Sequence, residues 1–495
     1  MMDQPTHRLT EDGVREELQR HPHLLLKLAE NALVVAESLR DNYFKNTAKF
    51  VSALRRAIQE TLAGKRTEAI LTPRTVGDLK WADVQGEVVT FIDGGIGSVQ
   101  ISSQVPILLR VGSYSVRTGE KRLAEREHFG YYPVILGDLQ GGSKERKDFP
   151  DIIRITAELL GGLSALERTP DLRVLMFHGP LVYLVGNYAG HTPFTEKDVD
   201  LFLSHYAPSA TVGRDIKEEF LHEAYVEIYP KMSPGNFVRW IKQRVFEPLS
   251  WMAYLYRRLI REAQKRSPVP IVVGVVERGG LREFCETCML ESVFHGLRLK
   301  GNGEYFNEIY GRSDLTSPRA LLDRLGYTDT LLMAMLLQPG ECSDPWVIRK
   351  YDGLRRGEMS LPGESSTTTV DFSVLANERV GFPAVTGTYV HVSETTEPIR
   401  VEVFGELGNE QIITAARRVC LYSRLLPGYG FPVGLDIADK YSKVPSWLTD
   451  AYGKLIRHQL GVSLQRGEIN DGEMRRILVQ AIYMTHRDWL FRPRN

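Results

Sequence analysis

Residues Val88–Gln100 read VVTFIDGGIGSVQ. An apolar run of β-forming residues delivers one carboxylate, Asp93, into a pair of glycines, and a second β-like run follows at Val99–Val111. Glycine carries no Cβ, so backbone or ligand can approach the chain closely there. An acid at the end of a buried strand beside such glycines is a common beginning for a divalent-metal phosphoryl-transfer site. The competing reading is a simple hairpin turn, because Asp-Gly is a strong hairpin signal. Asp93 alone does not separate the two readings; segments far along the chain do.

At 495 residues the chain is long enough for two or three domains, or for one large α/β domain with insertions. Hydrophobic residues make up 43% and charged residues 25%, as in an ordinary globular protein. Lys plus Arg equals Asp plus Glu at 62 each, so no global field draws in nucleic acid, and any DNA contact has to use local basic patches or a basic partner. The 4 cysteines provide no disulfide framework, which fits a reducing compartment. No apolar run approaches the roughly 20 residues that span a bilayer. The N-terminal MMDQPTHRLTEDG is polar and acidic rather than signal-like. The expectation is a cytoplasmic protein without membrane attachment.

Residues 1–70 are expected to form a helical arm. Leu18, Leu24, Leu25, Leu28, Ala29 and Leu33 recur near helical spacing, and Phe50, Leu54, Ala57 and Leu62 repeat the pattern over Asn46–Leu62. From Val88 the texture becomes β. A helix over Asp151–Leu166 then leads to the apolar strand Arg173–Phe177. A helical insertion spans about 195–268, with Pro248 placed to kink its long segment Trp240–Gln264. The strand IVVGVVE (Ile271–Glu277), further helices, the strands TGTYVHV and IRVEVFG, and the helix Glu410–Leu425 follow. Residues 446–495 form a C-terminal helical region. Strands alternating with helices around an early hairpin predict an α/β protein, with a mixed sheet flanked by helices.

Within this order, residues able to hold a metal recur where they could converge. Glu158 lies in the helix before RVLMF, His178 ends that strand at FHGPL, and Asp439 lies in LDIADK after a Gly/Pro-rich turn. Carboxylates supply the hard oxygen ligands that Mg²⁺ or Mn²⁺ prefer, and histidine suits Mn²⁺ better than Mg²⁺. Two such ions about 4 Å apart can activate water and stabilise the leaving oxygen of a phosphodiester. Asp436, three positions before Asp439, competes for the last ligand position if this stretch is helical.

These blocks resemble, in collinear order over roughly residues 85–445, the NurA family of DNA-end-processing nucleases. FIDGGIGS resembles the family's first motif, an aspartate followed by Gly and a small residue. Glu158, some 20 residues before HGPL (His178–Leu181), resembles the family's helical glutamate ahead of a D-G-S/P-L strand end. PIVVGVVERGGL, TDTLLMAMLLQPGECS, TYVHVSETTEPIRVEVF and GYGFPVGLDIADKYSKV resemble the remaining blocks, the last carrying an Ala-Asp pair where an Ala-His or Ala-Asp pair supplies the final metal ligand. The resemblance implies an RNase H-like nuclease domain over residues 85–445. It also implies Mn²⁺ (or Mg²⁺) held by Asp93, Glu158, His178 and Asp439, and DNA as substrate. The partner it implies is a HerA-like hexameric ATPase, in DNA repair or anti-phage defence. A homodimer organised partly by the N-terminal helices is expected. The sequence departs from the pattern twice: His178 stands where the family has Asp, and Glu277 where it has Lys after the G-V-V strand.

Other signals are weaker. Cys285 and Cys288 form a C-x-x-C in a helix-like stretch, without the paired second half of a zinc site, so they read as structural. No Walker A sequence is present, so ATP hydrolysis would have to come from a partner. Basic clusters at Lys144–Lys147, Arg257–Arg266 and Arg349–Arg356 could track phosphates, although such clusters are more often solvated surface. Two alternatives to a live nuclease remain: a degenerate family member that binds DNA and scaffolds the ATPase, and a guide-using RNase H-like nuclease of the Piwi type. The second lacks an evident guide-anchoring pocket.

Overall fold

The structure, a computed structural model, describes residues 20, 22–64, 71–99, 104–140, 143–183, 188–224, 234–290, 317–348, 354–360, 367–408, 410–426 and 428–484. The chain divides into two compact units, residues 1–72 with 280–337 and residues 73–279 with 338–495.

In the first unit, the helices Pro22–Ser38 and Lys45–Leu62 are joined by a π-helical turn, Leu39–Phe44. The second helix buries Phe50, Val51, Leu54 and Ile58, and Arg55 donates to the Met335 carbonyl oxygen at 2.5 Å. The first helix leaves Leu24, Leu25, Leu26, Leu28, Leu33, Val34 and Val35 exposed. The same unit contains the C-x-x-C. Cys285 is buried in a π-helical turn whose backbone N–H groups at Phe284 and Cys285 donate to the buried Asp329 carboxylate, while Cys288 is exposed.

The second unit is built on a ten-stranded sheet. It runs β4 (Glu127–Gln140), β3 (Gln104–Arg117), β2 (Val88–Ser98), β5 (Leu172–His178), β6 (Ile271–Val276), β12 (Ile399–Phe404), β11 (Val385–His391), β7 (Glu341–Cys342) and β1 (Arg74–Thr75), with β8 (Trp346–Ile348) also on β11, while β9 (Arg356–Ser360) and β10 (Thr367–Asp371) pair separately. β2, β3 and β4 form an antiparallel meander, β5 and β6 run parallel to β2, β12 is antiparallel to β6, and β11 is antiparallel to β12. This is the mixed sheet flanked by helices that the alternating pattern implied. Strand alternation sorts the side chains. Phe91, Met176, Val273, Val401 and Val403 join one core cluster with Ile412, Ala416, Leu435 and Ala438 of the helices Gln411–Ser423 and Val433–Ser442. On the opposite face, Gly161 and Gly162 of the long helix Ser143–Arg168 lie against Ile92, Val111, Leu175 and Phe177.

Two expectations change. Pro248 does not kink a long helix. The helix Pro234–Gln243 ends before it, and a new helix, Pro248–Gln264, starts at Pro248, where a missing N–H costs nothing and the Glu247 carboxylate accepts from Leu249 and Ser250. Asp93 is neither in a hairpin turn nor at the end of its strand. β2 continues through both glycines to Ser98, paired with β3, whereas its pairing with β5 stops at Ile92–Phe177. Asp93 is therefore a mid-strand residue at the point where one neighbouring strand runs out.

The basic cluster Arg257–Arg266 is occupied in structural pairs: Arg257 with Glu406, Arg258 and Arg261 with Glu219, and Lys265 with Glu262. The cluster at Arg349–Arg356 lies mostly outside the described residues, as do the side chains of Lys144 and Arg146.

The helix Val433–Ser442 reaches the sheet because glycines face it. A Cβ at Gly112 would lie 2.7 Å from the Ala438 carbonyl oxygen, and one at Gly95 would overlap the Ser442 carbonyl oxygen. Gly95→Ala should therefore lower stability by about 1–3 kcal/mol, the cost of overpacking. Gly461→Ala, in a helix with open space at that position, should be neutral or stabilising. Urea midpoints of the two variants check this, and equal midpoints would contradict it.

Candidate metal centre

The register Ile92–Phe177 puts the next residues of β2 and β5, Asp93 and His178, side by side on the same face of the sheet. Gly179, with φ of 99°, turns the chain sharply after His178, and its N–H donates to the Val275 carbonyl oxygen at 2.7 Å. The turn passes over Gly274, where a Cβ would come 2.8 Å from the Leu181 nitrogen. The Leu181 N–H donates to buried Glu402, which is paired with Arg400 at 2.8 Å. The HGPL segment is thus pinned from behind.

Asp93, His178 and Asp439 each offer a ligand atom, and these atoms all lie within 4.8 Å of one another. His178 Nδ1 is 3.2 Å from Asp93 Oδ2. The Ser442 hydroxyl donates to the same oxygen at 3.2 Å, and the Gly94 N–H donates to Oδ1 at 2.9 Å. The His178 ring meets Phe431 edge-on, with centroids 5.4 Å apart. Asp436 is engaged elsewhere: Lys440 donates to it at 2.7 Å and holds its carboxyl below the usual range, and Tyr429 also bonds it. Of the two aspartates, the structure brings Asp439 to Asp93. Glu277 is exposed beyond the end of β6.

Glu158 arrives from the other face of the sheet. Its carboxylate lies behind Gly94, where a Cβ would be 2.6 Å from Oε1, and it is outside the three-residue group. Arg154, one helical turn earlier, donates to Glu158 Oε1 at 2.6 Å and to the Tyr183 hydroxyl at 3.1 Å, with its guanidinium 5.1 Å from the Tyr183 ring centroid. Arg154 and Glu158 are both largely buried, with side-chain exposures of 17% and 6%. Breaking such a buried pair typically costs about 3–5 kcal/mol, because it strands the remaining charge.

The electrostatics are those of crowded acids. Burial raises the Glu158 carboxyl to about 7, against the opposing pull of Arg154. Burial and the neighbouring Asp93 raise Asp439. For His178, burial opposes the charged form, but the hydrogen bond to Asp93 and the surrounding acids outweigh it, so its pKa rises. The acids around His178 therefore favour its protonated form, which a cation would displace. Two carboxylates and an imidazole, mutually close and half-buried, form a donor set that fits Mn²⁺ or Mg²⁺.

The NurA domain model matches residues 87–444, most of the chain and all of this centre. The chain belongs to the NurA family. The NurA nuclease from Sulfolobus solfataricus is 11% identical, with a TM-score of 0.44, over 87% of this chain and 97% of that one. A NurA structure bound to dAMP and manganese is 13% identical, with a TM-score of 0.28, over 87% and 94%. A Ciona intestinalis endonuclease V bound to DNA is 12% identical, with a TM-score of 0.26, over 80% and 95%. These are distant likenesses, and membership of the NurA family rests on the domain match. No curated protein matches the chain.

Sequence reading missed Arg154, Tyr183, Ser442 and the role of Gly112, whereas the close approach at Gly94 and Gly95 is the one their lack of a Cβ implied. Arg154 and Glu158 stand at i,i+4 spacing, a visible pairing signal, but nothing in the sequence shows that the pair is buried. Because metal ligands must be deprotonated, Mn²⁺ binding by this NurA-family protein should release protons at about pH 7 and weaken as pH falls. Titration calorimetry in two buffers of different ionisation enthalpy counts the protons. Zero release near neutrality would contradict the raised His178.

Proposed function

We propose that this protein is a divalent-metal-dependent DNA nuclease, a phosphodiester hydrolase that processes DNA ends using Mn²⁺ (or Mg²⁺). The observation that carries the proposal is the convergence of Asp93, His178 and Asp439, from two strands and a helix far apart in the chain, within 4.8 Å. Asp93, His178 and Asp439 would hold the cation, and Glu158 stands behind the strand as a carboxylate outside that group. When bound, a divalent cation supplies Lewis-acid polarisation of the phosphodiester and of the attacking water. Asp93 is the anchor: the Gly94 N–H and the Ser442 hydroxyl each fix one of its oxygens. Phe431 packs edge-on against the His178 ring, and the Glu402-braced turn holds its strand end.

The intact donor set favours a live nuclease over a non-cutting scaffold of the ATPase. His178 replaces a carboxylate of the resembling family pattern, yet the set keeps two acids and one neutral nitrogen ligand. The chain would act on DNA in the cytoplasm, in repair or anti-phage defence, as a homodimer docked on a HerA-like hexameric ATPase. Two features support the partner reading: the sequence lacks a Walker A motif, and the helix Pro22–Ser38 leaves a run of leucines and valines exposed. A monomer by light scattering at micromolar concentration, with no co-purification of such an ATPase, would count against both associations.

Asp93→Asn keeps the shape and removes the charge. It should lower Mn²⁺-supported cleavage of linear DNA by more than about 100-fold, beyond what loss of an outer-shell partner costs, with an unchanged circular dichroism spectrum. Asp439→His alone leaves one carboxylate in the group. His178→Asp combined with Asp439→His restores two carboxylates and one imidazole, and should cut DNA better than Asp439→His alone. Full cleavage by Asp93→Asn would remove Asp93 from the site, and a double variant no better than the single would show that the two positions do not share one ion.

A further inference from the structure

The pair Arg154–Glu158 has no part in holding the three-residue group, and its geometry is that of a lock. Asp93, His178 and Asp439 converge on one face of the sheet, whereas Glu158 comes from the helix on the other face and lies against side-chain-free Gly94. Glu158 is a carboxylate outside the group whose charge reaches His178. Its Oε1 is taken by Arg154 at 2.6 Å. The guanidinium is fixed in turn by the Tyr183 hydroxyl and ring and by Asp151, 3.7 Å away. A buried guanidinium stays charged and forks between partners in a way an ammonium does not.

We propose that Arg154 is a built-in counter-ion that withholds Glu158 from the metal centre. The protein then binds one divalent cation tightly per chain, and a second only when Arg154 lets Glu158 go. Arg154 is a positioning residue here: it touches Glu158, not the three groups that converge. The inference rests on the proposed metal centre and adds to it a stoichiometry and the residue that sets it.

The test uses the full-length protein and Mn²⁺ alone, with binding read by calorimetry and by the electron paramagnetic resonance signal of free Mn²⁺, without DNA or cleavage. Wild type should take up one equivalent. Arg154→Met frees Glu158 and should add a second. Arg154→Lys keeps a cation beside Glu158 and should stay at one. Glu158→Gln should also keep the single equivalent. Two tight equivalents in wild type, or an Arg154→Met variant that melts cooperatively yet still binds one, would overturn the lock. If Arg154→Met does not fold, Glu158→Gln decides: loss of the single equivalent overturns the proposal, and its retention supports it. Absence of any Mn²⁺ binding by wild type would be a different failure, that of the metal centre itself.

Discussion

Everything at the candidate site depends on a stretch of β2 that lacks side chains. Gly94 and Gly95 follow Asp93, and Gly112 is its partner on β3. Removing Cβ on both faces of a sheet allows two layers of helix to approach the same residue. The helix Val433–Ser442 comes close over Gly95 and Gly112 and brings Asp439, while the helix Ser143–Arg168 comes close over Gly94 and brings Glu158. Side chains at these positions would hold the helices off, and the acids would not meet.

That closeness creates an electrostatic difficulty, which the protein handles differently on each face. In front, Asp93 and Asp439 share their space with His178, whose affinity for a proton is raised by its acidic neighbours. The group is partly open, so protons can leave when a cation arrives. Behind, Glu158 is enclosed, and its charge is matched by Arg154 within the protein. One carboxylate set is poised for an external cation and the other is paired with an internal one. Burial and the end of β5 beside Asp93, rather than residue type, account for the difference.

Much of this was legible in the sequence. The order of strands and helices, the glycine-flanked aspartate, the strand-end histidine and the Ala-Asp pair all stand in the chain at readable positions, and the structure brings three of the four candidate residues together. What could not be read depends on long-range packing. Asp436 and Asp439 are one helical turn apart and equivalent by periodicity; only the Lys440 and Tyr429 contacts set Asp436 aside. Arg154 looks like one more surface cation until the helix is seen to bury it. The Asp-Gly step reads as a turn because local preference says so, but pairing with β3 along the full strand overrides it. The grouping of the N-terminal helices with residues 280–337 joins segments more than 200 residues apart, which no local pattern encodes.

The central claim is that Asp93, His178 and Asp439 bind one ion together. Crystals of the full-length protein grown with Mn²⁺, and measured for anomalous scattering at the manganese edge, test it most directly. The account predicts an anomalous peak within about 2–2.5 Å of a ligand atom from each of the three residues, the usual range for oxygen-rich divalent sites. A peak bound elsewhere, or none at saturating Mn²⁺, would contradict it.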